Sequence, residues 1–383
     1  MAFDEALLDD EDALVRRDGQ RLLWTLATAG AQVRRAIDTY EDFGVERLRG
    51  ELPRALLIAT DAPPSVTVRV VTRLSCEATP ALAWHGVELP RWAGPADALL
   101  IGAVDGRHPR LAALAEQGAR RGLAMAVVAP ADSQVAAAAG RAPIHELAAD
   151  LNVRAFRWAV LTPLLQALDA LGVHEVPRSL LTEVADALDQ SAEICRPGSE
   201  AFTNPAKALA VEFADAQPLI AGAGALAGVA ARATADALQL CAGVPAVAVS
   251  LPDGVARAGA VLRGAGPSPA GGDDFFRDRV DEGGPPRARL VVVGDDGNAE
   301  DPELGPRSGA QIQLDEVAAR RAAAALHRLA GELGLRSSSV DVPAGSPLAR
   351  FASAAAFGDF TAVYLALGLG LEPGAAAPGE LAH

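Results

Sequence analysis

Short apolar runs alternate along the chain with longer stretches in which apolar residues recur at helical spacing. The apolar runs predict strands at 55–59, 66–72, 98–102, 123–128, 219–221, 246–249, 290–293 and 339–342. The helical spacing predicts helices within 4–49, 110–121, 150–189, 204–214, 225–240, 313–334 and 346–370. Strands that alternate with helices are typical of parallel sheets covered by helices. The pattern therefore predicts an α/β protein with two similar halves.

The same pattern divides the 383 residues, enough for two domains, into four predicted segments. These are N-terminal helices at 1–50, a first α/β subdomain at 51–150, a helical linker layer at 151–200 and a second α/β subdomain at 201–383. A Pro- and Gly-rich stretch at 264–286 contains Phe275 and Phe276. It is predicted to be either a mobile surface insertion or, because two phenylalanines are costly to leave in water, a lid or subunit clamp.

Composition narrows the classes of function. Formal net charge is −15, from 34 Lys and Arg against 49 Asp and Glu, and no long run of Arg forms the basic patch expected of a nucleic-acid-binding protein. The three cysteines include no C-x-x-C pair, and the histidines are scattered, so neither a disulfide framework nor a metal site is expected. The acidic N-terminus and the shortness of the apolar run at 218–231 predict a cytoplasmic protein outside the membrane. No cofactor is predicted.

A glycine turn in the second half is the strongest candidate for a binding site. Gly222 and Gly224 lie between an apolar strand and a helix of small residues. Such a unit presents unpaired backbone N–H groups to an anion, which suggests a phosphorylated small molecule. Both glycines are also needed for a tight turn without any ligand. The spacing Gly222-x-Gly224-x-x-x-Gly228 differs from the dinucleotide-binding fingerprint, which disfavours a Rossmann protein.

Lys207, the single lysine of the sequence, precedes this turn in the segment Asn204-Pro205-Ala206-Lys207. Two interpretations remain open for it. It is either a residue near the start of a helix or a cation that binds the substrate.

Three segments carry a resemblance to a known family: 204–210 with the glycine turn, 243–246, and 358–367 followed by 371–373. They resemble the second half of the bifunctional phosphoglucose/phosphomannose isomerases, of the actinobacterial type, in the SIS (sugar isomerase) superfamily. The resemblance implies two SIS subdomains, a homodimer and a sugar phosphate bound between the halves. It also implies aldose–ketose isomerisation, in which the sugar ring opens and a carboxylate moves a proton between C1 and C2.

The residues that carry this chemistry in the family are absent at the matching positions. Leu240 stands where the carboxylate is expected, and 252–257 contain neither the expected His nor Glu. The C-terminal lysine is also missing. Asp253, Glu212 and Asp236 are the remaining candidates for the base. Asp253 is close in sequence to the missing motif, although an aspartate before Gly254 is also an ordinary turn residue.

The first half departs from the family at both expected phosphate loops. Thr60 to Ser65 replaces a Gly-Gly-Ser turn, removes N–H donors through two prolines and places Asp61 where it would repel phosphate. Hydroxyl residues are replaced by Arg107 and His108, with Arg110 behind them. Arginine can hold phosphate bidentately, so Arg107 and His108 are predicted substrate-binding residues. Helix capping and surface charge are the alternative explanation.

Two functions therefore remain. The first is a sugar-phosphate isomerase-like protein of the glucose-6-phosphate/mannose-6-phosphate class with a rebuilt active site. The second is a non-catalytic SIS protein that binds a sugar phosphate or a partner enzyme and regulates sugar metabolism.

Overall fold

The computed structural model describes residues 3–50, 52–61, 66–75, 79–147, 157–265, 287–294 and 309–373, with side chains from residue 316 onward in the last range. Contacts group the chain into two compact units. We call Trp24–Asp189 the central unit, and Met1–Leu23 together with Gln190–His383 the terminal unit. This grouping differs from the predicted segments, because the N-terminal residues group with the C-terminal half and most of 151–200 groups with the first half. Of the predicted insertion at 264–286, only residues 264 and 265 are among the described residues.

The central unit contains a parallel five-stranded sheet. Its strands are β1 Leu56–Thr60, β2 Ala81–Ala83, β3 Ala98–Gly102, β4 Ala124–Ala129 and β5 Ile144–Glu146, in the spatial order β2-β1-β3-β4-β5. Register places Leu57 opposite Leu99, and Leu99 opposite Met125. All side chains of β1 and β3 are buried, as the apolar runs of a helix-covered parallel sheet require.

Helices connect these strands and cover the sheet. The helices of the first half of the chain are α1 Glu11–Arg17, α2 Leu22–Ala27, α3 Ala29–Asp38, α4 Tyr40–Phe43, α5 Val66–Leu74, α6 Pro109–Arg121, α7 Gln134–Ala138, α8 Arg157–Ala170 and α9 Arg178–Ile194. Helix α8 is buried along nearly its whole length and packs on α3, α5, β3 and β4. It is therefore part of the core of the central unit.

The prediction of a strand at 66–72 is wrong, because these residues form α5, Val66–Leu74. Thr67, Val68, Val70 and Val71 are buried, and this spacing covers one face of a helix. The hydroxyl of Thr72 donates to the Val68 carbonyl one turn earlier, 2.7 Å away. A helix is also what the topology requires, because β1 and β2 are parallel neighbours and need a crossover connection.

The terminal unit repeats this architecture with four parallel strands. They are β6 Ala216–Ala223, β7 Val247–Leu251, β8 Arg287–Val293 and β9 Ser337–Val340, in the order β7-β6-β8-β9. The helices of the second half are α10 Pro205–Ala214, α11 Ala225–Ala242, α12 Val255–Ala265, α13 Gly309–Glu332 and α14 Pro347–Gly368. The predicted fold class, α/β with two helix-flanked parallel sheets, is confirmed.

Helix α14 explains the most apolar segment of the described chain. Its 22 residues are long and apolar enough to cross a membrane, but 89% of the most hydrophobic window is buried within the protein. It packs against α10 and α11. The apolar composition of α14 is thus that of a core helix.

Both sheets reverse their strand order at a defined place. In the central unit the reversal falls between β1 and β3, and in the terminal unit between β6 and β8. In open parallel sheets, ligands bind beyond the carboxyl ends of the strands at such a reversal. The residues that follow β1, β3, β6 and β8 are therefore the places to look for a site.

Candidate functional site

The turn after β6 lies at the reversal of the terminal sheet and leads directly into α11. Gly224 is the residue that caps α11, with φ of +117° and ψ of 169°. That conformation is restricted almost entirely to glycine. Apart from Gly224 and its two chain neighbours, no atom of the described residues lies within 4 Å of the position that a Cβ on Gly224 would occupy. The sequence thus uses glycine here for a special backbone shape, and the described part of the chain leaves the space beside it open.

The start of α11 offers backbone donors at this turn. Its N-cap residue, Gly224, has no side chain that could accept from these donors, and its first turn contains no acidic residue. The first bond of the helix is donated by the Gly228 N–H to the Gly224 carbonyl at 2.9 Å. The N–H groups of the preceding residues of the first turn have no partner within a helix by geometry. They point along the positive end of an 18-residue helix and can bind an anion.

Gly222 has a different role from Gly224. A Cβ at Gly222 would lie 2.2 Å from the Ala227 carbonyl oxygen and 2.3 Å from the Gly228 nitrogen. Real side chains do not approach backbone this closely, so only glycine lets β6 pass beside the first turn of α11. These contacts explain why glycine is required at 222, and the predicted role of Gly222 in substrate binding stays a prediction.

Gly294, directly after β8, completes the surroundings of the turn. It has φ of +81°, and a Cβ there would lie 2.8 Å from the Cβ of Ala227 and 3.1 Å from the Ala223 carbonyl oxygen. The carboxyl ends of β6 and β8 are therefore brought together by glycines, as close backbone approach demands.

Lys207 is enclosed by backbone carbonyls and is fully buried. Its Nζ donates to the carbonyl oxygens of Leu8 at 2.5 Å, Pro197 at 2.6 Å and Ser199 at 2.6 Å. The ammonium also lies 5.4 Å from the centre of the Tyr364 ring. Since an ammonium has three N–H donors, all are used. All three donors of Lys207 are therefore used within the protein, which leaves none for the predicted role in substrate binding.

The enclosed ammonium has a simple chemical consequence. Burial lowers the pKa of Lys207, while the carboxylates of Asp9 and Glu11 act in the opposite direction.

Because Lys207 is the single lysine of the sequence, an N-hydroxysuccinimide ester can report on it alone among side chains. We expect Lys207 to be modified at least about tenfold more slowly in the folded chain than in the guanidinium-unfolded chain, since reaction requires local opening. Peptide mass spectrometry measures this ratio; equal rates would contradict the enclosure.

The residues considered for catalysis do not come together. Asp253 is exposed in the turn between β7 and α12, where the Gly254 N–H donates to the Ser250 carbonyl at 2.7 Å. Leu240 lies near the other end of α11, and its side chain is 63% exposed. Sixteen residues of helix separate it from Gly224, roughly 24 Å at 1.5 Å per residue. Asp253 and Leu240 therefore lie at opposite ends of the strands of the terminal sheet.

A second cluster lies at the reversal of the central sheet. The carboxylate of Asp61, directly after β1, accepts a short hydrogen bond from the Val104 N–H and a second, at 3.4 Å, from the Asp105 N–H. The Arg110 guanidinium donates to the carbonyls of Thr60 and of Trp84, at the end of β2. Asp61 thereby ties the end of β1 to the loop that follows β3.

Burial dominates the electrostatics of this cluster. Burial raises the pKa of Asp61, against the opposing effect of the Val104 and Asp105 N–H groups. Burial also lowers the pKa of Arg110, and Asp61 acts in the opposite direction. The two groups thus influence each other across the reversal of the sheet.

The predicted phosphate-binding residues Arg107 and His108 lie in the same loop. The Arg107 side chain is exposed, and its backbone N–H donates to the Asp105 carboxylate at 2.9 Å. His108 caps α6 without a side-chain capping bond. Its Nδ1 is buried and has no hydrogen-bond partner among the described residues. Their role in binding stays a prediction.

Sequence reasoning treated Asp61 only as a group that repels phosphate and missed its bond to the next loop. The sequence does show an acidic residue directly after a buried strand. Its importance follows only from the order of the strands, which places the end of β1 beside the loop after β3. Across the described ranges, no group of three or more His, Cys, Asp or Glu side chains is arranged to hold a metal ion. The prolines at 63 and 64 lie outside those ranges.

The comparisons with known proteins agree with this architecture. Residues 202–378 match the family model of the bacterial phospho-glucose isomerase C-terminal SIS domain. No curated protein matches the sequence.

Three solved structures illustrate the likeness of fold. A hypothetical protein from Thermus thermophilus is 15% identical with a TM-score of 0.65, covering 98% of this chain and 93% of that one. The tagatose-6-phosphate ketose/aldose isomerase from Escherichia coli is 12% identical with a TM-score of 0.56, covering 93% and 94%. The C-terminal domain of glucosamine-fructose-6-phosphate aminotransferase from Francisella tularensis is 10% identical with a TM-score of 0.59, covering 93% and 99%.

At identities this low, the TM-scores show a shared fold and nothing about function. The chain therefore shares its α/β fold with these solved structures, and residues 202–378 are similar to the SIS domain of the bacterial phospho-glucose isomerases. The narrower resemblance to bifunctional isomerases of the actinobacterial type stays a prediction.

Proposed function

We propose that this protein binds a sugar phosphate at the turn of residues 222–224 and does not isomerise it. The observation that carries the proposal is the start of α11 beside the reversal of the terminal sheet, where Gly224 provides no capping side chain and the described residues leave open space. The phosphate group accepts hydrogen bonds from the N–H groups of the first turn of α11, where the helix dipole favours negative charge. This turn lies within the part of the chain that matches the isomerase SIS domain, which supports a phosphorylated sugar as ligand.

The described residues provide no evident acid–base pair for isomerisation. Moving a proton between C1 and C2 requires a base within hydrogen-bond reach of the substrate, and opening the ring requires an acid or cation. Leu240 has no titratable group, and the ammonium of Lys207 has no free donor. Asp253 is exposed to solvent in a turn. We therefore favour a binding protein of sugar metabolism over a glucose-6-phosphate/mannose-6-phosphate isomerase.

Two measurements with fructose-6-phosphate test this proposal. Ligand at a hundred times its Kd should stabilise the fold by about 2.7 kcal/mol through binding linkage, seen as a rise in Tm. A coupled assay for glucose-6-phosphate formation should show no turnover above the uncatalysed rate. Turnover that Asp253→Asn abolishes would overturn the non-catalytic assignment and support a rebuilt active site. Absence of both stabilisation and turnover would overturn sugar-phosphate binding.

A matched pair of glycine variants localises the binding. Gly224→Ala places a Cβ where φ is +117°, so the turn must change and its N–H groups lose their alignment. Gly243→Ala, at the other end of α11, also places a Cβ at a positive φ, +64° in the left-handed helical region, with no neighbour within 4 Å among the described residues. We expect Gly224→Ala to weaken binding by roughly ten- to a hundredfold, the effect of losing hydrogen bonds to a charged group. Gly243→Ala should retain wild-type affinity.

Assembly and location remain proposals. We propose a homodimer in the cytoplasm, as the resemblance and the composition of the chain predicted. Partner-enzyme binding is the reserve hypothesis if no sugar phosphate binds.

A further inference from the structure

The two reversals of strand order differ in what occupies them. At the terminal sheet, Gly224 provides no capping side chain to α11, and the space beside it is open in the described part of the chain. At the central sheet, the backbone donors of Val104 and Asp105 are already bonded to the carboxylate of Asp61. A carboxylate of the chain itself thus lies where an external anion would approach the central sheet.

The loop that holds this carboxylate is rigidly built. The Ala103 N–H donates to the Val128 carbonyl at 2.8 Å, and the Val135 N–H donates to the Gly106 carbonyl at 3.3 Å. Gly106 has φ of +65°, and a Cβ there would lie 2.2 Å from the Cβ of Ser133. The loop is therefore held in place by β4 and the segment after it, so its amides are oriented independently of Asp61.

The loop and the first turn of α6 also offer polar groups that are not hydrogen-bonded to Asp61. The Nδ1 of His108 is buried and without a hydrogen-bond partner among the described residues. The Arg110 guanidinium, bonded to two carbonyls, adds positive charge that interacts with Asp61. A tetrahedral oxyanion has more acceptor positions than one carboxylate and can use both kinds of group.

We propose that Asp61 is an internal anion that blocks a phosphate-binding loop in the central unit. The carboxylate takes the donors of Val104 and Asp105, so phosphate is excluded while Asp61 is present. A variant without this carboxylate accepts inorganic phosphate or a phosphomonoester on the same amides. The loop of the central unit is accordingly closed to sugar phosphate in the natural sequence. This closure is independent of ligand binding at the turn of residues 222–224.

Hydrogen exchange of the full chain, followed by mass spectrometry on peptides covering 102–108, tests this proposal. In the wild type the amides of Val104 and Asp105 should exchange slowly, whether or not inorganic phosphate is present. In Asp61→Ala they should exchange roughly ten- to a hundredfold faster, the effect of losing a charge-assisted hydrogen bond. Phosphate, but not chloride at equal ionic strength, should restore the slow exchange. Because the readout is local, phosphate binding at α11 does not affect it.

Two further variants keep the test decisive. Asp132→Ala removes an exposed carboxylate after β4, at the same edge of the sheet, and should leave exchange at 102–108 unchanged. If Asp61→Ala does not fold, Asp61→Ser removes the charge and withdraws the acceptor from the loop while keeping a polar residue, and phosphate should again slow exchange. Unchanged exchange in the Asp61 variant would overturn the proposal. So would faster exchange that phosphate does not reverse.

Discussion

Replacing Lys207 with methionine is expected to destabilise the terminal unit by about 3 kcal/mol or more, because each buried acceptor left unsatisfied costs about 1–3 kcal/mol. Methionine fills a similar volume but cannot donate, so the carbonyls of Leu8, Pro197 and Ser199 lose their shared partner. The contact with the Tyr364 ring loses its charge as well. For a unit of this size Tm should fall by roughly 6–12 °C.

The ammonium connects three places that are distant in sequence. Leu8 precedes α1, Pro197 and Ser199 follow α9, and Lys207 lies in the first turn of α10. Equilibrium denaturation of Lys207→Met measures the loss. The control is Arg232→Met, which removes a surface cation paired with Asp236 one helical turn away and should change stability by no more than about 0.5 kcal/mol. If Lys207→Met were as stable as the control, the enclosure would have no energetic role.

Gly222→Ala is expected to have the second largest effect, destabilising the terminal unit by about 3 kcal/mol, the upper end of overpacking penalties. The added methyl would lie 2.2 Å from a backbone oxygen of α11. A flexible side chain could move aside, but the backbone of the first helical turn cannot move without disturbing β6. Tm should fall by roughly 6–12 °C.

The same chemical change elsewhere in the unit should have the opposite sign. Gly331, in α13, has no atom of the described residues within 4 Å of a built Cβ. Gly331→Ala should stabilise by up to about 1 kcal/mol, because alanine is the better helix former. Calorimetry on the two variants compares them directly. Equal Tm values for Gly222→Ala and wild type would show that β6 and α11 are not in the described close contact.

The sequence was sufficient for most elements of the second half. The apolar runs that became β6, β7 and β8 and the helical spacing that became α10, α11 and α14 are strong, local signals. Local signals misled at 66–72, where β-branched residues imitate alternation and only the buried spacing reveals the helix α5. The short edge strands β2 and β5 and the helix α12 were missed because three-residue strands and small-residue helices carry weak periodicity.

The candidate site was only half predictable. Glycines between a strand and a helix predict a turn, so the sequence identifies Gly224 as a turn residue. The difference between Gly222 and Gly224 depends on which backbone atoms lie beside each, which spacing does not reveal. Likewise, the partners of Lys207 and Asp61 come from loops distant in sequence. Buried polar groups are satisfied by tertiary neighbours, and no local pattern names those neighbours.

The start of α11 is the proposed binding site for the phosphate of a sugar phosphate. A crystal structure of the chain with fructose-6-phosphate is the most direct test. Our account predicts the phosphate oxygens within hydrogen-bond distance, about 2.7–3.2 Å, of backbone N–H groups in the first turn of α11, next to Gly224, with the sugar carbons unchanged. A phosphate bound elsewhere on the chain, or a ligand converted to the aldose, would contradict it.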